Sequence, residues 1–101
     1  MGLNLVVYRM RAGKVIHEAR TDKWDWIRHA GDREFAKEVL GDPSKTDAVR
    51  EDGYEGEWYF RPRDVDAWKA WDAAHEGNNG RWAALADLLA SDPELYVYQS
   101  W

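Results

Sequence analysis

The stretch that decides the fold lies near the N-terminus, where residues 3–10 read Leu-Asn-Leu-Val-Val-Tyr-Arg-Met. Apolar side chains occupy both faces of this stretch if it is extended, one set alternating with the other: Leu3, Leu5 and Val7, then Val6, Tyr8 and Met10. A run with two apolar faces is typical of a strand that is central in its sheet or covered on both sides. We therefore predict a buried first strand.

A second strand follows at once. Arg11-Ala12-Gly13 forms a plausible short turn because Gly13 accepts positive φ, and Lys14 to Ala19 then returns as the partner strand of a hairpin. The other strongly apolar strand covers Glu94 to Trp101 at the far end of the chain. Pairing the first and last strands at the centre of a sheet would hide both.

The remaining segments alternate between helical and extended patterns. Asp22 is a reasonable N-cap for a helix near Lys23, and Gly31-Asp32 breaks or restarts that helix. After this break, apolar residues at helical spacing of about 3.6 residues continue the stripe: Phe35, Ala36, Val39 and Leu40. Gly41 and Pro43 then end the helix. Ser44 to Gly53 is predicted as a polar loop, and Tyr54 to Arg61 as an amphipathic strand.

Two further helices precede the last strand. Pro62-Arg63-Asp64 opens one that runs to about Glu76, and Arg81 to Ala90 forms the next after the turn at residues 77–80. Three tryptophans belong to helix stripes that face the sheet: Trp68, Trp71 and Trp82. The order β-β-α-α-β-α-α-β predicts one α+β domain over residues 1–101, a two-layer sandwich with helices on one face of a four-stranded, mostly antiparallel sheet.

Composition excludes several classes of function. The chain has 101 residues and no cysteine, so disulfides and thiolate chemistry are excluded. With 19 acidic against 14 basic residues it carries a net charge of −5, which argues against nonspecific nucleic-acid binding. No window approaches a membrane span, and the apolar run at the start is shorter than a signal-peptide core. We expect a cytoplasmic protein.

Titratable residues provide candidates for chemistry, each with a simpler structural role. His75 lies between Trp68 and Trp71 on the helical wheel, near Asp72, and could shuttle protons or contact a ligand. The helix dipole and packing on neighbouring residues are the favoured explanation of a histidine in a helix's last turn. His29 with Asp32 supplies half a metal site, but no third ligand follows at a recognisable spacing. The sequence predicts no catalytic residue, no metal site and no cofactor.

Aromatic residues are the strongest functional signal. Some of the seven tryptophans must lie near the surface, and exposed rings beside arginine are typical of a protein-interaction hot spot. Tryptophan that merely borders a core is the structural alternative. The predicted binding residues are Trp24, Trp26, Trp58, Tyr59, Arg61 and Trp101.

The opening Met1-Gly2-Leu3-Asn4-Leu5-Val6-Val7-Tyr8-Arg9 resembles the Met-Gly-apolar-Asn strand that begins many small uncharacterised bacterial and bacteriophage proteins, and the Ala-, Arg-, Asp- and Trp-rich, cysteine-free composition resembles small proteins of actinobacteria and their phages. The resemblance implies an origin, with a host cytoplasm as the compartment if a phage encodes the chain. Size, acidity and surplus aromatics favour a non-enzymatic protein-binding domain, such as a phage-encoded modulator or inhibitor of a host protein. We expect a monomer or small homo-oligomer whose host or cognate partner carries a basic patch. Stacking on a sugar or nucleotide is the alternative.

Overall fold

Five strands form one antiparallel sheet in this computed structural model, which describes residues 4–16, 31–53, 56–75 and 80–100. They are β1 (Asn4–Arg11), β2 (Lys14–Ile16), β3 (Thr46–Arg50), β4 (Trp58–Pro62) and β5 (Leu95–Ser100). Their order in the sheet is β2-β1-β5-β4-β3. The α+β class is therefore confirmed.

The two apolar strands do pair at the sheet centre. β1 runs antiparallel to β5 over six residue pairs, with Val7 opposite Val97. The side chains of Leu5, Val7 and Val97 are buried against the helices. Burial of both strands accounts for their nearly continuous apolar sequence.

The helices begin and end close to their sequence signals. They are α1 (Asp32–Phe35), which continues directly as a π-helical segment (Ala36–Leu40), then α2 (Val65–Ala74) and α3 (Arg81–Ser91). Asp64 caps α2, since its carboxylate accepts a hydrogen bond from the Ala67 N–H at 3.1 Å. Within the described ranges, no helix has the length and apolar character needed to cross a membrane. The helix predicted from Lys23 lies outside those ranges.

The core is aromatic, as the helix stripes predicted. Phe35 is fully buried among Trp68, Trp71 and Trp82, with ring centroids 5.1–5.4 Å away. Two of these contacts are edge-to-face and the third is stacked, arrangements that aromatic rings favour. The three tryptophans are at most 7% exposed, so they hold the helices on the sheet.

The predicted polar loop at residues 44–53 was wrong, because it contains β3. This strand lies at the edge of the sheet, where most of its side chains face solvent and only Thr46 is buried. An edge strand with two wet faces lacks the apolar alternation that identifies a strand in sequence. The sheet therefore has five strands instead of four.

The two-layer sandwich also needs correction, because the sheet curls into a half-barrel in which the segment just beyond β3 contacts the β1–β2 hairpin. The Asp52 N–H beyond β3 donates to the Gly13 carbonyl at 2.8 Å, and the Glu51 carboxylate accepts from the Val15 N–H at 3.0 Å. Gly13 has φ +80°, and a Cβ there would overlap the Asp52 carboxylate. Glycine thus permits both the turn and the close approach.

Candidate functional site

The predicted binding residues on β4 divide between the two faces of the sheet. Phe60 packs against the helical core, so Trp58 shares that face, and Tyr59 and Arg61 point to the other. Trp58 is 52% exposed, and among the described residues it is the one large apolar side chain that is exposed. Trp24, Trp26 and Trp101 lie outside the described residues.

Trp58 lies on β4, one strand in from the sheet edge that β3 forms, and directly opposite Arg50. The Glu51 N–H donates to the Glu57 carbonyl, and the Arg63 N–H to the Lys45 carbonyl, which sets the odd-numbered residues of β3 as those bonded to β4. The backbone N–H and C=O groups of Ala48 and Arg50 therefore point away from the sheet. No hydrogen bond within the described part of the chain engages them.

A pocket of about 530 Å³ adjoins this edge on the helical side. Ala48 is exposed here, and it lies opposite the half-buried Phe60. The lining residues are Leu40, Gly41, Pro43, Thr46, Asp47, Ala48, Phe60 and Arg63. Phe60 lines the pocket and shares a face of β4 with Trp58, so these two rings extend the apolar surface beyond the pocket.

The loop at one end of the pocket is held rigidly by Asp42. Its carboxylate accepts hydrogen bonds from the Ser44 hydroxyl at 2.7 Å and the Ser44 N–H at 2.9 Å, and its carbonyl accepts from the Thr46 N–H. The hydroxyl bond of Ser44 is the main reason that the pKa of Asp42 is lowered. An Arg63–Asp47 ion pair at 2.9 Å forms the rim beside this loop.

We name Trp58, Phe60, the outward backbone groups of Ala48 and Arg50, and the adjoining pocket the β3 edge site. It combines an exposed indole, a depression that can receive a side chain, and strand backbone that no other described residue pairs with. These are the elements by which sheet edges recognise extended peptides.

The opposite face of the sheet carries a tyrosine cluster. The rings of Tyr8, Tyr59 and Tyr98 lie 5.2–6.2 Å apart between centroids. Burial, followed by the charge of Glu51, raises the pKa of Tyr59 to about 12. Tyr59 is only 5% exposed, so it stabilises this face and offers little surface to a partner.

Arg61, like Tyr59, is engaged in contacts within the protein. Its guanidinium donates to the carbonyls of Asp92 at 3.0 Å and Leu95 at 2.5 Å, and it lies 5.4 Å above the Tyr96 ring. These bonds tie β4 to the start of β5. Of the binding residues predicted on β4, Trp58 alone projects into solvent at the open edge.

Two arginines of β1 form a second cluster of charges. Arg9 pairs with Asp92 at 2.8 Å and Glu94 at 2.9 Å, and Arg11 pairs with Glu94 at 2.7 Å. The hydrogen bonds from Arg11 and then Arg9 lower the pKa of Glu94 to about 2. Two positive charges face two negative charges, so this cluster holds the turn that precedes β5 against β1.

His75 ends α2, and its ring packs on the helix as the structural interpretation of the sequence predicted. Its ring stacks on Trp71 with centroids 3.8 Å apart, and Nδ1 lies 2.6 Å from the Trp71 carbonyl oxygen. Two glutamates of the first helical segment, Glu34 and Glu38, approach the same ring. Asp72 instead caps α3, because its carboxylate accepts from the Ala83 N–H at 2.7 Å.

Sequence reasoning did not connect Glu34 and Glu38 with His75. Their four-residue spacing was a visible signal, since residues four apart share one helix face. The histidine comes from another helix, and the packing of Phe35 on Trp68 and Trp71 brings the two helices together.

Comparisons with known proteins identify no relative. No family model, curated protein or solved structure matches the chain. Functional inference therefore depends on the geometry of the chain itself.

Proposed function

We propose that the protein is a binding domain that captures an extended segment of another protein at the β3 edge site. The observation that carries this proposal is that the backbone groups of Ala48 and Arg50 point outward from β3 and have no hydrogen-bonding partner among the described residues, one strand away from the half-exposed Trp58. A peptide strand that pairs with these groups becomes the sixth strand of the sheet.

The side chains next to the edge set the chemistry of the partner segment. Alternate residues of an added strand face the helical side of the sheet, where one apolar side chain can enter the pocket and a second can pack on Trp58. A large aromatic ring at such a position is a frequent source of binding energy. We therefore expect an extended segment with alternating apolar residues.

Charge favours a different protein over a second copy of this chain. Each copy carries a net charge of −5, so two copies repel each other, whereas a basic partner is attracted. Sedimentation of the isolated protein should show a monomer. A dimer that Ala48→Pro dissolves would instead assign the edge to self-association.

A peptide-display selection on the immobilised protein tests the proposal. Selected peptides should lose about 30-fold in affinity with Trp58→Ala, since truncating a hot-spot ring costs about 2 kcal/mol or more. Ala48→Pro should weaken binding by roughly 5–10-fold, because it removes an outward N–H and leaves the bonds to β4 intact.

Two matched variants complete the test. Glu57→Ala changes an exposed neighbour of Trp58, and Ala48→Gly keeps the N–H that proline removes. Both should bind as the wild type does. Peptides that tolerate Trp58→Ala and Ala48→Pro equally would refute the proposed site.

A further inference from the structure

Three potential metal ligands converge where α1, the π-helical segment and α2 meet. Glu34 lies in α1, Glu38 in the π-helical segment, and His75 at the C-terminal end of α2. One donor atom from each lies within 4.8 Å of the other two. Both glutamates are exposed and the histidine is half-buried, so an ion could enter directly from solvent.

Trp71 orients two of the three ligands. Its carbonyl oxygen can only accept a hydrogen bond, so Nδ1 of His75, at 2.6 Å, is the donor in that bond and Nε2 is the ring nitrogen through which His75 would bind a metal. The indole stacks on the imidazole and its Nε1–H donates to the Glu38 carboxylate at 3.5 Å. Metal-binding histidines usually have their second ring nitrogen fixed in this way by a carbonyl or carboxylate.

The backbone that carries Glu38 is itself unusual. The Gly41 N–H donates to the Ala36 carbonyl at 2.9 Å, five residues earlier, which is the π-helical pattern. Single π-helical turns are rare and are frequently found at functional sites. This feature is independent of the side chains, and it occurs in the segment that supplies one of the ligands.

We propose that Glu34, Glu38 and His75 bind a divalent transition-metal ion, with Zn²⁺ the best match to one imidazole nitrogen and two carboxylate oxygens. Ligand bonds of about 2.0–2.2 Å place tetrahedral donors roughly 3.4 Å apart, so donors that lie within 4.8 Å of one another need to approach by at most about 1.4 Å. The exposed glutamates can supply this movement by changing rotamer. Three protein ligands leave a position for water or for a carboxylate.

The first experiment is a titration of the full chain with Zn²⁺ alone, in which calorimetry measures binding. One equivalent should bind, and Glu38→Gln should weaken binding by more than the 10–100-fold typical for loss of an outer-shell partner. Because Glu38 is exposed, this variant keeps the fold, which circular dichroism can verify. His75→Gln should have at least the same effect.

Matched variants identify the site. Glu57→Gln removes an exposed carboxylate elsewhere, and a His17→Gln/His29→Gln double variant removes the other two histidines. Both should retain wild-type affinity. Binding that survives Glu38→Gln and His75→Gln, or that is lost in the double variant, would overturn the assignment.

Tryptophan fluorescence provides a second readout that a purely structural role would not move. The indole of Trp71 stacks on the proposed ligand, so stoichiometric Co²⁺ should quench it, and excess Zn²⁺ should reverse the quenching. Equal quenching of the wild type and His75→Gln would show collisional contact only and would contradict the site.

Discussion

Replacement of Asp72 by alanine tests how α2 and α3 are joined. The N-cap residue of α3 is Gly80, in the left-handed region with no side-chain cap, and Asp72 supplies the missing acceptor from the neighbouring helix. The carboxylate is 6% exposed and accepts from the Ala83 N–H at 2.7 Å. Alanine removes the cap and leaves a donor without its acceptor.

Asp72→Ala should lower the free energy of unfolding by about 2 kcal/mol, a loss between that of a typical helix cap and the penalty for an unsatisfied buried donor. For a domain of this size that loss lowers the melting temperature by about 8–16 °C. Asp72→Asn keeps a carbonyl acceptor and should cost only about 0.5–1 kcal/mol.

Thermal unfolding followed by circular dichroism measures both variants. Asp66→Ala, an exposed residue in the first turn of the same helix, is the control and should cost less than about 1 kcal/mol. The reasoning fails if Asp72→Ala unfolds within about 2 °C of the wild type, or if alanine and asparagine have equal effects.

Three further predictions concern the curled sheet and its charges. Because Arg11 lowers the pKa of Glu94 from 4.5 to about 2, the stability that this glutamate contributes is present above pH 4.5 and is lost as pH falls toward 2; acid unfolding of Glu94→Gln should lack this dependence. Because the pKa of Tyr59 is raised from 10 to about 12, stability should fall as pH rises through that interval, and the latest phase of the ultraviolet tyrosine titration should be absent in Tyr59→Phe. Gly13→Ala should cost about 2 kcal/mol, from positive φ and displacement of Asp52, and an unchanged melting temperature would contradict the joined edges.

The helices and the sheet centre could be predicted from sequence because their signals are local. Apolar residues at helical spacing placed Phe35, Trp68 and Trp82 in the core, and the two continuous apolar strands could be hidden only by pairing centrally. In these elements one physical requirement, burial, determines both pattern and position.

The features that escaped prediction depend on contacts between distant residues or on the absence of burial. β3 has polar residues on both faces because it is an edge, so its sequence resembles a loop. The curl depends on a hydrogen bond between Gly13 and Asp52, which no local pattern indicates. The π-helical turn has no counterpart in the apolar spacing, which both helix types satisfy over one turn.

The candidate site could be predicted from the sequence only in part, for the same reason. Alternation along β4 showed that Trp58 and Tyr59 lie on opposite faces, and a surplus of tryptophan implied that some rings are exposed. The open backbone beside Trp58 could not be inferred while β3 was interpreted as a loop. Glu34, Glu38 and His75 converge only through helix packing.

Amide hydrogen exchange by NMR tests the β3 edge site most directly. In the free protein, the outward amides of Ala48 and Arg50 should exchange much faster than the inward amide of Val49. A selected peptide should slow exchange at Ala48 and Arg50 by at least about tenfold and leave Val49 little changed. Protection confined to the tyrosine face, or absent from β3, would contradict strand addition at this edge.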